Sequence, residues 1–290
     1  MRDRRSAQAR AALLWLAATS LFAPGICLGA AKQVPAGNNS RAAREDAARS
    51  IPMSKLDRSL SAKVQRVVGN PSIFRRLPVQ VIDCDPKMYH FLLNNPEVIV
   101  NIWQVMGISK VQMVRTGPTS YEASDGAGSA GTVQVAYSSG DTQVIYCEGM
   151  YEGPMFSKPL RAQCVLLLKA GYTQEANGRY LVTTRCDSFI HLEHVGLELL
   201  AKTFQPMVNK SADMNFVETA NFVSMVSRTS ERKPTGMAKL GNKLQNVSPE
   251  VRTAFIQTAQ QVAQRSEQNR SVVQTDPRIS RRNTSSTVRQ

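Results

Sequence analysis

Histidine is nearly missing from this 290-residue chain: three occur, at positions 90, 191 and 194. Structural or hydrolytic zinc needs three or four converging donors, usually with its histidines on one helix face. The motif His191-x-Glu193-His194 straddles a strand end and a helix start, so it reads as surface or capping chemistry. Tryptophan is scarce too, with two residues, and aromatics make up 6% of the chain. There is no internal repeat and no nucleophile with a base beside it in any recognisable pattern. Long apolar runs are absent: Ala11–Ala23 is the longest candidate and is short for a stable membrane span. No metal or cofactor is expected.

What is present begins with an export signal over 1–30. Arg2, Arg4, Arg5 and Arg10 form its basic part and Ala11–Ala23 its apolar part, with Gly29, Ala30 and Ala31 offering small residues for cleavage. The formal charge of +14 suggests a nucleic-acid partner until it is located. Residues 77–227 hold more acidic than basic side chains, and the positive excess lies in the flanks. Nucleic acid is therefore not expected. Basic arms outside the cytoplasm suit weak contact with anionic lipid or envelope polymer.

Residues 31–52 are small, polar and charged, and read as a flexible linker. Residues 53–76 form an N-terminal helix and connector, since Met53, Leu56, Leu60, Val64 and Val67 recur at helical spacing. The folded unit is placed at 77–233. Leu77–Ile82 opens it as a strand, and Asp83 or Asp85 can cap a helix started by Pro86. Asn94-Asn95-Pro96 breaks that helix, and a second runs to Gly107. Six strand-like segments follow, joined by short turns such as Ser138-Ser139-Gly140-Asp141. Short connections require antiparallel neighbours. A broad apolar helical pattern then runs from Gly196 to Ser227, with a kink expected at Pro206. A C-terminal helical extension is placed at 234–267 and a disordered basic tail at 268–290.

The segments VQVIDCDPKMYHFLLNNPEVIVNIW (79–103) and GLELLAKTFQPMVNKSADMNFVETANFVSMV (196–226) carry a resemblance. They look like the opening and the closing helix of the helix-grip superfamily, which includes START-like lipid-transfer domains and polyketide cyclase/dehydratase-like proteins. The resemblance implies an α+β fold, a seven-stranded curved antiparallel sheet wrapped around a long C-terminal helix. It also implies an apolar pocket between sheet and helix, and hence a hydrophobic small-molecule ligand such as a lipid, isoprenoid or polyketide-like compound. A resemblance of this kind fixes no catalytic residue.

Pocket candidates are Trp103, Tyr121, Tyr137, Tyr146, Leu166, Phe204, Met207, Val208 and Phe216. The tyrosines offer an apolar body with a polar tip, and methionine makes an adaptable wall. Cys147, Cys164 and Cys186 share a strand face with Ile145, Leu166 and Leu168, so they are expected inward and side by side. They read as free thiols or as one cross-strand bridge. Two alternatives stay open beside binding. One is a cyclase- or dehydratase-type enzyme using a cavity-facing Glu148 or a tyrosine. The other is an envelope module with a filled core.

Overall fold

The computed structural model describes residues 36–152, 159–193 and 205–275, without the side chains of 207, 208 and 270–275. The signal segment, most of the basic tail, Phe204 and His194 lie outside the described residues.

Alternating apolar residues and tight turns build one antiparallel sheet of eight strands. β3 (Gln112–Arg115), β4 (Ser120–Ser124), β5 (Ser129–Ser138), β6 (Thr142–Tyr151), β7 (Leu160–Gln174) and β8 (Tyr180–Leu192) pair in sequence order as a meander. β1 (Ile73–Arg76) and β2 (Gln80–Asp83) both pair with β8. The expected count was seven. The difference arises because the first strand begins earlier, at Ile73, and is interrupted at Leu77-Pro78-Val79. Pro78 has no N–H for the ladder, and one extra residue is accommodated there before pairing resumes at Gln80↔Thr184.

Helices cover both faces of the sheet. On the outer face, α1 (Arg41–Arg49) and α2 (Arg58–Gly69) bury Ala43, Ala47, Leu60, Val64 and Val67 in one cluster with Phe74, Val144, Tyr146, Val165, Leu167 and Phe189. The flexible linker expected over 31–52 is thus corrected: residues 41–49 are helical. Ser40 caps α1 by accepting from the Ala43 amide, and the small faces of Ala43 and Ala47 let its backbone approach the sheet. Polar composition concealed an alanine stripe. Charges then fasten the segment. Asp187 is fully buried and accepts from Arg76 at 2.6 Å, while Arg76 also donates to Asp46 at 2.7 Å.

On the inner face lie α3 (Pro86–Asn94), α4 (Pro96–Val105) and α5 (Gln205–Arg232). Asp85 caps α3 through the Lys87 amide, with Pro86 in the first turn, as the sequence indicates. Pro206 sits at the start of the described part of α5, so the expected kink falls at the edge of the described residues. α5 continues past Ser227 to Arg232. α6 (Pro234–Gly241) and α7 (Pro249–Thr275) back this layer, burying Leu244, Phe255, Ala259 and Val262. Phe255 packs against Phe91 with tilted rings at 5.9 Å, and Trp103 meets Phe222 edge-on at 5.5 Å. A Cβ on Gly241 would stand 2.6 Å from Ile256 Cγ1, so glycine sets the close approach of α6 to α7. The tail expected to be disordered from 268 is helical to Thr275: no glycine or proline occurs between 250 and 276, and Asn269 Nδ2 donates to Gly178 O at 2.8 Å.

The arrangement is a helix-grip fold: a curved antiparallel sheet closed by the long helix α5 that follows its last strand.

Candidate functional site

Between the concave sheet and α5 the side chains do not meet fully, and an apolar cavity of about 170 Å³ remains. The sheet contributes Met113, Val133, Val135, Ile145, Cys147, Leu166 and Leu168, all from the inward parity of their strands. α5 contributes Phe216, Thr219, Ala220 and Val223, at helical spacing along one face. Leu92, Leu93, Pro96 and Ile99, around the α3–α4 junction, close a third side.

The polar lining is sparse and mostly paired. Tyr89 Oη donates to Thr184 Oγ1 at 3.1 Å, and burial raises the tyrosine's pKa well above its ordinary value. Thr219 Oγ1 donates to Asn215 O at 2.7 Å within α5. Gln143 differs: its Nε2 donates to Leu93 O at 3.4 Å, while its Oε1 is buried without a partner. Among the described residues no carboxylate, histidine, lysine or arginine lines the cavity.

The expected pocket residues divide into four groups. Leu166 and Phe216 line the cavity. Trp103 and Tyr121 belong to the surrounding core but do not reach its surface. Tyr121 donates to Asn94 O at 3.2 Å, with the Arg115 guanidinium 4.7 Å over its ring. Tyr137 and Tyr146 lie on the other side of the sheet, a correction to the sequence reading. A bulge between Val135 and Tyr137 flips Tyr137 outward. Tyr146 has the outward parity of Val144 and donates to Glu148 at 2.9 Å. Phe204, and the side chains of Met207 and Val208, lie outside what is described. Sequence reasoning missed the rest of the lining: the residues of α3 and α4, the sheet residues such as Met113, Val133, Cys147 and Leu168, and Thr219, Ala220 and Val223 of α5. It also missed Gln143, whose parity with Ile145 and Cys147 was the available signal.

Glu148, the candidate acid, also faces outward. Burial alone would raise its pKa, but hydrogen bonds from Tyr146 and Lys63 outweigh it and hold the carboxyl below its ordinary value. The four described cysteines are unbridged and buried. Cys147 and Cys164 are directly paired across β6 and β7, whereas Cys186 pairs with Leu168, so the three are not side by side as expected. Desolvation pushes the Cys84 and Cys164 thiols up to about 12. The nucleophilic, metal-binding form of cysteine is the thiolate, which such sites suppress. Among the described residues no cluster could hold a metal ion. His191 Nδ1 lies 3.0 Å from Asn70 O.

A second opening of about 400 Å³ lies between β8, α5 and α7 and is polar. Three of its four arginines are engaged: Arg265 with Asp85 at 3.0 Å, Arg228 with Glu231 at 2.9 Å, and Arg179 with Asp83. It is a salt-bridged seam in which Tyr180 and Val262 are the main apolar groups among the described residues.

No protein-family model matches the chain, and no curated protein does either. Among solved structures, Ara h 8.0201 aligns over 50% of this chain and 99% of its own, at 10% identity and a TM-score of 0.28. The Mll3558 protein from Rhizobium loti aligns over 49% and 97%, at 12% identity and a TM-score of 0.25. Values this low say nothing about what the chain binds.

Proposed function

We propose that this chain binds a compact apolar molecule without transforming it. The observation that carries the reading is the cavity of about 170 Å³ between the sheet and α5, walled by aliphatic and aromatic groups. Cavities of roughly 150 Å³ lined this way stay dry and take up a molecule the size of benzene. Drug-sized ligands occupy about 300–1,000 Å³. The occupant is therefore a single ring or a short chain. A whole lipid, isoprenoid or polyketide exceeds that volume and would extend beyond the described walls. Proton-transfer chemistry finds no support in the lining: Glu148 is on the opposite face of the sheet, and Tyr89 is hydrogen-bonded and held neutral.

The proposal includes export, which rests on the sequence of residues 1–30. It also includes weak contact of the basic flanks with anionic lipid or envelope polymer, which rests on their charge. The test is native mass spectrometry of the purified chain, alone and with benzene-sized hydrocarbons. Stoichiometric binding with a raised melting temperature is expected. A protein that stays unliganded and unshifted up to the solubility limit of several such probes would sink the reading.

A further inference from the structure

We infer that Gln143 makes the cavity selective for guests carrying one hydrogen-bond donor, such as a phenol or alcohol on a compact apolar body. This rests on the binding role proposed above and adds the ligand's polar group.

Gln143 sits at an inward register of β6, opposite Leu168, among Ile145, Val135 and Leu93. The residue is 1% exposed, and its Oε1 has no partner. The orientation of the amide follows from chemistry. Its hydrogen-bond partner is the carbonyl of Leu93, which can only accept, so Nε2 faces Leu93 and Oε1 is left over. A buried acceptor without a donor is costly. An aliphatic residue of similar volume would have filled this position without that cost. The 3.4 Å bond to Leu93 is long, and the terminal torsion of glutamine is soft, so the carbonyl can turn to face a guest. The other polar lining groups, Tyr89 with Thr184 and Thr219 with Asn215, already satisfy one another. Gln143 is therefore the acceptor that a donor-bearing guest would complete.

Phenol and fluorobenzene test this, having nearly the same shape and differing in the donor. Each is titrated into the wild-type chain and into Gln143→Met, whose fold is checked by circular dichroism. The ratio of phenol to fluorobenzene affinity should fall by about tenfold in the variant, the worth of one buried hydrogen bond. Fluorobenzene is the reference for any change in cavity shape, so the ratio of the two affinities is the quantity read. In the wild type, the Gln143 side-chain amide resonances should shift with phenol and not with fluorobenzene, a readout that needs no variant. Binding of both probes with the same ratio in both proteins, or equal amide shifts, would overturn the donor preference and leave the cavity reading standing. Binding of neither would overturn both.

Discussion

Asp213→Asn should destabilise the protein sharply, because it strands a cation. Arg75 on β1 and Asp213 on α5 form a two-pronged ion pair whose side chains are 10% and 8% exposed. Asp213 also accepts from the Gly37 amide at 2.9 Å, so one carboxylate joins the N-terminal segment, the sheet and the gripping helix. Asparagine keeps the shape and removes the charge, leaving the Arg75 guanidinium buried and unpaired. Removing one partner of such a pair costs about 3–5 kcal/mol. With a urea dependence of about 2 kcal/mol/M, the midpoint should fall by about 2 M. The double variant Arg75→Met, Asp213→Leu removes both charges and should recover most of that loss, giving a coupling above about 2 kcal/mol in the cycle. A midpoint shift below about 0.5 M for Asp213→Asn, or additive single variants, would refute the idea that residues 36–76 fold as one unit with the sheet and α5.

Four other outcomes follow. Leu166→Phe should abolish uptake of a benzene-sized probe, whereas Tyr146→Phe, altered on the outer face, should leave it unchanged; equal effects would mean the sheet faces are misassigned. Thiol reagent at pH 8 should leave Cys84, Cys147, Cys164 and Cys186 unlabelled in the native protein and label all four on unfolding, read by peptide mass mapping; fast native labelling of any one would contradict their suppressed ionisation. Glu148 has a depressed carboxyl, so its stabilising contribution is complete above the ordinary carboxylate range and is lost as pH falls through its lowered value. It is 47% exposed, so Glu148→Gln should cost under about 1 kcal/mol at pH 7 and reduce the acid sensitivity; a larger loss would show the pair is not surface-like. Limited proteolysis should leave a fragment that starts before Arg41 and ends beyond Asn269, and early cleavage inside 41–69 would contradict the packing of α1 and α2 on the sheet.

The sheet was legible because its signals are local. Alternation, turn residues and short connections identify β3 to β8 and their antiparallel order, and Asp85-Pro86 announces α3. What escaped depends on distant partners. Ala43 and Ala47 form a buried stripe only because Phe74 and Phe189 lie beneath them, and composition alone made 31–52 look like linker. The bulge beside Ala136 turns Tyr137 through the sheet, and no residue in that stretch signals it. Tyr146 could have been placed correctly, since its parity is opposite to that of Ile145 and Cys147. At the cavity, Leu166 and Phe216 were readable from parity and helical spacing. The contributions of Leu93, Pro96 and Ile99 required knowing where the α3–α4 junction docks. Gln143 was visible as a polar residue at an inward register, but the missing partner of its Oε1 is a property of the packed structure alone.

The central claim is that the space between the sheet and α5 is a binding site. Intermolecular nuclear Overhauser effects from bound toluene to assigned methyl groups test it most directly. The account predicts saturable contacts to Leu166, Val133 and Val223, and none to Val64 or Val67 on the outer face. Contacts confined to the outer face or to the polar seam near Arg265, or no contacts at saturating toluene, would contradict it.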